Sequence, residues 1–203
     1  MKALIVYCHP FPDSYNAAVR DRVIKGITEA GGEVKVRDLY AAGFSPVLTR
    51  EEWQSHVDPD ENFDKIAEDG ALIKWCDTIV FVYPTWWYAM PAMLKGWLDR
   101  VMVAGLAFHM PEAGRANIRP GLTHIKRITV FTTCGATRWL SALIGWPGRK
   151  ILLRGVRVLC HPRCKTTYVA IYDMNHATPL RLRAHLDRVE TVARRMTGSG
   201  GRT

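Results

Sequence analysis

The sequence predicts an α/β fold: a parallel five-stranded sheet covered by helices on both faces. Two short apolar runs carry the sheet. Ala3-Leu4-Ile5-Val6-Tyr7-Cys8 and Thr78-Ile79-Val80-Phe81-Val82-Tyr83 are nearly unbroken and rich in β-branched and aromatic residues, the pattern of strands buried on both sides. Stretches with apolar residues at helical spacing separate the strand-like runs, so the order reads βα repeated five times.

In chain order, the first strand spans residues 3–8. His9-Pro10-Phe11-Pro12-Asp13-Ser14-Tyr15-Asn16 interrupts it. A helix follows, with Val19, Val23, Ile24 and Ile27 at helical spacing and Gly31-Gly32 at its end. Ser14 and Asn16 are natural N-cap residues at its start. Residues 33–39 alternate Val34 and Val36 with charges and read as a second strand, at an edge. Residues 40–62 hold Gly43, Pro46 and Pro59 with little periodicity, so a functional or interface loop is expected, with a short helix near 51–56. Residues 63–75 read as a helix with Ile66, Ala67, Leu72 and Ile73 inward.

The third strand, 78–83, stops at Pro84, which cannot donate a ladder hydrogen bond. Trp86, Trp87 and Tyr88 then sit in a row on a loop. Pro91 suits a helix first turn, and Leu94, Leu98, Val101 and Met102 recur at helical spacing while Lys95, Asp99 and Arg100 face water. Residues 105–121 are irregular. Residues 125–133 form a fourth strand and Cys134-Gly135-Ala136-Thr137 a tight turn. Residues 138–154 read as a helix broken at Pro147-Gly148, 156–160 as the fifth strand, and 164–172 as a loop or short extension. Residues 179–196 form a last helix with Leu182, Leu186, Val189, Val192 and Ala193 inward. One domain over 1–196 with a disordered tail at 197–203 is expected.

Right-handed crossovers through this order give a three-layer sandwich in the flavodoxin-like strand order 2-1-3-4-5. Its switch point lies between the first and third strands, where open α/β sheets bind ligands. On chemistry alone, three adjacent aromatics are as readily a core plug as a ligand wall. The switch point puts them on one lip of a crevice and His9–Asn16 on the other, with the turn after the fourth strand between. A helix N-terminus with small polar side chains suits an anion, and the aromatic loop suits a flat ring. The chain has neither a GxGxxG fingerprint nor a phosphate-binding GxxxxGK[ST] loop. A phosphorylated planar cofactor is implied, and flavin fits it.

Composition sets outer limits. Hydrophobic residues make up 48% of 203, enough for a sizeable core, and no run of 18 apolar residues appears, so no membrane span is expected. MKALIVYCHP lacks a signal-peptide layout. An odd count of five cysteines does not suggest a disulfide framework, so a cytoplasmic location is expected. The net charge of +9 is lopsided: residues 1–100 carry 11 Lys/Arg against 15 Asp/Glu, and residues 101–203 carry 17 against 4. A basic half favours anionic partners. Charge alone is no case for nucleic acid, and no nucleic-acid partner is expected. Cys160-His161-Pro162-Arg163-Cys164 offers only three ligands, with no second CxxC or HxxxH, so no metal site is expected. Cys8 and Cys76 read as core residues.

Three segments together, HPFPDSYNAAV, FVYPTWWYAMPAMLKGWLDRV and TTCG, resemble the NAD(P)H:quinone oxidoreductase family, over about residues 1–195. This group has the flavodoxin-like fold and includes drug-activity modulators and regulatory subunits of potassium-efflux systems. The resemblance implies a tightly held flavin (FAD or FMN), NAD(P)H as co-substrate, a quinone or similar acceptor, ping-pong turnover and a homodimer. It implies that His9, Ser14, Tyr15, Asn16 and Ala18 hold the phosphate side. Pro84, Thr85, Trp87 and Tyr88 would border the isoalloxazine, and Thr132, Thr133, Cys134 and Gly135 its other edge.

The chain also departs from the family pattern. Cys134 replaces a glycine of the family's TTGG turn, and the Tyr and His that the family uses in hydride transfer fall at Leu140 and Trp146. Neither side chain supplies an ordinary acid or base. Tyr88, Arg138 and Trp139 are the remaining candidates for a catalytic role. The alternative is a flavin-binding regulatory subunit docked on a potassium-efflux transporter.

Overall fold

The computed structural model describes residues 1–62, 64–111 and 117–198. The five longer strands are β1 (Lys2–Tyr7), β2 (Glu33–Asp38), β3 (Thr78–Pro84), β4 (Arg127–Thr133) and β5 (Lys165–Ile171). They form one sheet in the order β2-β1-β3-β4-β5, every neighbouring pair parallel. The two apolar runs occupy the sheet centre, as their composition demands, and β2 lies at an edge.

Side chains alternate between two cores. Ala3, Ile5 and Tyr7 of β1 pack under α1 (Tyr15–Glu29) and the last helix, α5 (Pro179–Gly198), against Val23, Ile27, Val189 and Ala193. Leu4, Val6 and Cys8 pack on the opposite face, under α2 (Ala67–Trp75) and α3 (Ala92–Val101), against Ile73, Leu94 and Trp97. Gly26 lets α1 and α5 meet closely: a Cβ there would lie 2.6 Å from the Glu190 carbonyl oxygen. On the other face, Trp97 Nε1 donates to Asp69 Oδ1 at 2.7 Å, and Arg37 donates to both Asp69 oxygens at 3.0 and 2.9 Å. That network ties the edge strand β2 to the α2/α3 layer and satisfies a buried carboxylate, which is costly when unpaired.

Several expectations change in detail. The fifth strand is Lys165–Ile171, within a stretch read from sequence as a loop or short extension; of residues 156–160, read as that strand, 156–159 are helical and Cys160 makes an isolated bridge to Leu122. Ile151–Val156 is a π-helical turn and Arg157–Leu159 a 3₁₀ turn. Leu152 and Val156 are buried one helical turn apart, so the apolar pattern there has a helical period. Arg157 donates to the carbonyls of Cys164 and Pro162, holding the turn into β5.

The helix at 138–154 is split earlier than expected. α4 (Arg138–Leu143) ends before Gly145 and Trp146, both at positive φ, and Pro147 begins the next short helix, Pro147–Lys150. The 40–62 segment holds two short helices, Arg50–Ser55 and Pro59–Asn62. Residue 63, placed in the following helix, lies outside the described residues. Within the irregular 105–121 stretch, Phe108–His109 pairs with Arg119–Pro120; residues 112–116 lie outside the described residues. The last helix runs to Gly198, past the expected end, and residues 199–203 of the expected tail also lie outside. All five cysteines are free and buried. Among the described residues no helix is long and apolar enough to cross a membrane.

Candidate functional site

Parallel register brings three loops to one edge of the sheet. Tyr7 pairs with Val82, Tyr83 with Thr132, and Thr133 with Ile171, so the chain leaves β1, β3 and β4 at the same level. The first loop runs from His9 to α1. Ser14 caps the helix, its Oγ accepting from Ala17 N at 3.1 Å and lying 3.2 Å from Tyr7 Oη. No acidic residue occupies the first turn of α1, so its free amides present an uncancelled positive end. His9 Nδ1 accepts from Phe11 N at 3.1 Å, which leaves Nε2–H as the donor of the neutral ring.

Asn16 joins this loop to the sheet. Its Nδ2 donates to Thr133 Oγ1 at 3.2 Å, while Oδ1 is buried without a partner. Whichever way the amide is turned, one end is left unpaired in a residue that water scarcely reaches. Ala18 lies half-buried one residue beyond Ala17. Tyr15 is placed differently from its neighbours: its hydroxyl donates to the Leu182 carbonyl at 3.0 Å and lies 2.8 Å from His185 Nδ1. Its side chain is therefore committed to α5, and only its backbone amide remains for the cleft.

The second loop continues β3 past Pro84. Thr85 N donates to the Thr133 carbonyl at 2.7 Å, and Thr85 Oγ1 lies 2.9 Å from Thr132 Oγ1. Trp86 and Ala89 then bond to each other in both directions, closing a two-residue turn whose tip is Trp87 and Tyr88. Both tip residues have positive φ, 48° and 61°. That is the type I′ geometry that Asn-Gly usually supplies, adopted here by two bulky aromatics at a cost in strain. Trp87 is 89% exposed and Tyr88 half-buried. Gly148 backs the turn: its N–H reaches the Tyr88 carbonyl at 3.4 Å, and a Cβ on it would lie 2.9 Å from Ala89 Cα.

The third loop is the turn after β4. Thr132 and Thr133 are buried, and so is Cys134, its Sγ 3.7 Å from Ser141 Oγ. The Cys134 and Ala136 carbonyls accept from Met174 N and Asp173 N, which ties the turn to the segment after β5. Gly135 is exposed, and a Cβ there would meet only Asn175 Nδ2, at 3.8 Å, so the turn leaves open room above it. Beneath the cleft, burial pushes the Cys8 thiol up to about 12 and raises the Tyr7 phenol, so both stay neutral.

Contacts between the loops bring Asn16, Thr85, Thr132 and Thr133 together, and Ser14 meets Tyr7 of β1, while His9 bonds only within its own loop, to Phe11. Arg138 and Trp139 stand apart at the exposed start of α4, Trp139 being 72% exposed. Trp146, at the position of the resembled family's histidine, lines a cavity on the far side of β5 rather than the cleft. Sequence reasoning missed that cavity because 164–172 read as a loop or short extension; the alternation of Tyr168 and Ala170 with Val169 and Ile171 was the available signal.

A family model described as flavodoxin-like fold matches residues 1–191. The chain belongs to that family. Among its relatives, a ribosyldihydronicotinamide dehydrogenase (quinone) of Mus musculus is 32% identical over 54% of this chain and 54% of its own. An uncharacterized NAD(P)H oxidoreductase of Haemophilus influenzae is 36% identical over 67% of this chain and 65% of its own. Among solved structures, an NAD(P)H:quinone oxidoreductase from Methanothermobacter marburgensis is 26% identical, with a TM-score of 0.81 over 97% of this chain and 96% of that one. The chain spans about half the length of several of the curated relatives that it matches.

Proposed function

We propose that the chain is a flavin-dependent NAD(P)H oxidoreductase that passes a hydride from NAD(P)H through the bound flavin to a quinone or similar acceptor. The observation that carries this reading is the Asn16–Thr133 and Thr85–Thr133 bonding, which assembles a phosphate-suited helix start and an aromatic lip into one cleft. The half-unpaired Asn16 amide and the open room at Gly135 fit a polar planar ligand. The redox chemistry belongs to the flavin; the protein supplies binding, orientation and electrostatics.

In this reading the first-turn amides of α1, with His9, Ser14 and Asn16, hold the phosphate. Pro84, Thr85, Trp87 and Tyr88 border one side of the ring, and Thr132, Thr133, Cys134 and Gly135 the other. Backbone N–H groups at these two turns would stabilise negative charge on a bound, reduced ring. With Leu140 and Trp146 unable to act as acid or base, charge compensation by the backbone replaces a dedicated proton donor. A nicotinamide and an acceptor binding in turn at this one cleft would give ping-pong kinetics. The names and shared lengths of the relatives support the reading, and so does the matching NAD(P)H:quinone oxidoreductase structure. A homodimer, burying some of the exposed Trp53, Trp86 and Trp139, completes the proposal.

The test is NADPH or NADH oxidation by the purified protein with menadione, following both substrates. Parallel lines in double-reciprocal plots are expected. Bound flavin with no turnover on any quinone would refute the enzymatic reading.

A further inference from the structure

A cavity of about 600 Å³ opens along the outer edge of β5, on the opposite side of that strand from the β1/β3 cleft. Its volume falls in the range of small-molecule sites. One wall is built by α4 and the Pro147–Lys150 helix, the other by α5, and Tyr168 and Tyr172 lie between them. The lining carries one sign of charge: Arg138, Arg149, Arg181 and Arg188, with no Asp or Glu. None of the four pairs with a carboxylate among the described residues. Like charges gathered without a counter-charge repel, and a bound anion offsets that repulsion.

Two of the arginines are fixed in advance. The Arg149 guanidinium lies between the Trp146 and Tyr168 rings, 5.6 and 5.4 Å from their centroids. Arg181 donates to the backbone carbonyls of Tyr172 and Asp173. His185 stands on the α5 wall. It lines the cavity, is only 8% exposed, and its Nε2 has no hydrogen-bond partner. Its Nδ1 lies 2.8 Å from the Tyr15 hydroxyl. The guanidinium forks suit a phosphate, and the tyrosine and tryptophan rings suit a flat base beside it.

We propose that this cavity is a second ligand site, separate from the flavin cleft, and that it binds the phosphate group of a nucleoside phosphate. The site stands whether or not the flavoenzyme reading holds; only its assignment to the 2′-phosphate of an NADPH co-substrate rests on that reading.

The probe is adenosine 2′,5′-bisphosphate, titrated calorimetrically into the full chain, with adenosine as the uncharged control. Saturable binding at one site is expected, and adenosine should bind at least about tenfold more weakly. Arg188→Gln, at an exposed position on α5, should weaken bisphosphate binding about tenfold, and Arg149→Gln with Arg188→Gln further still, with flavin content and circular dichroism unchanged. Absence of saturable binding to the wild type, or equal affinity in a folded Arg188→Gln variant, overturns the proposal. The source is read from steady-state kinetics of the double variant. A rise in KM for NADPH with KM for NADH unchanged assigns the co-substrate. Loss of bisphosphate binding with both KM values unchanged assigns a free nucleotide. If the protein binds no flavin, the calorimetric arms still decide the site.

Discussion

Asn16 Nδ2 lies 3.2 Å from Thr133 Oγ1, and this one bond links the first turn of α1 to the end of β4 across the switch point of the sheet. The other end of the same amide has no protein partner. Asn16→Ala therefore removes one hydrogen bond and one unpaired polar atom together, and these nearly cancel in the protein without cofactor, at about 1 kcal/mol or less. Flavin affinity should fall at least about tenfold, because the unpaired end is the part reserved for the ligand. Urea denaturation of the flavin-free protein and flavin titration separate the two effects. Equal losses in both would show the residue to be purely structural.

The turn at Trp87 and Tyr88 trades stability for ring placement. Both residues have positive φ, which glycine adopts without penalty. Trp87→Gly should raise stability by about 1 kcal/mol, a Tm gain of about 2–4 °C for a chain of this size. Turnover with a quinone should fall in the same variant, since the exposed ring is lost from the cleft. A variant with lowered Tm and full activity would contradict this account of the turn.

Gly148 tests how firmly that turn is held. A Cβ on it would lie 2.9 Å from Ala89 Cα and 3.0 Å from Ala89 C, both backbone atoms that cannot swing aside. Gly148→Ala should destabilise by about 1–3 kcal/mol and shift the fluorescence of Trp86 and Trp87. Gly155→Ala, where nothing lies within 4 Å, is the control and should be near neutral.

His185 gives the fold a pH dependence of definite sign. Burial, with Arg188 and Arg181 nearby, lowers its pKa from 6.5 to about 4; its other close neighbour, Tyr15, is neutral in this range. Between pH 6.5 and 4 the unfolded chain binds a proton that the folded chain refuses, so stability is full above 6.5 and falls as pH drops toward 4. The loss attributable to this residue is on the order of 3 kcal/mol. Denaturant midpoints measured at pH 7, 5.5 and 4.5 should fall less steeply in His185→Gln than in the wild type. Identical slopes would remove His185 as the cause.

The central strands and the cleft were legible because their signals are local. Unbroken apolar runs such as Ile79–Val82 have few structural solutions, and an N-cap serine before a helical pattern fixes the first loop. The edge beyond β4 was not. Val156 and Val158 look strand-like in isolation, and only the packing, with Leu152 and Val156 one turn apart, makes the segment helical. The true strand, Lys165–Ile171, is exposed at its start and half-polar, so its membership rests on its ladder with Arg127–Thr133, a long-range fact. Tyr15 illustrates the same limit: its position in the first loop was readable, but its hydroxyl's commitment to Leu182 and His185 depends on a helix that begins more than 160 residues later.

Flavin binding is the claim on which the functional reading stands, and one spectrum tests it. The purified chain, or the chain reconstituted with FMN or FAD and freed of excess, should be yellow, with an absorption band near about 450 nm that the ring carries. NADPH added without oxygen should bleach that band, and a quinone should restore it. A colourless protein that takes up neither FMN nor FAD would contradict the account.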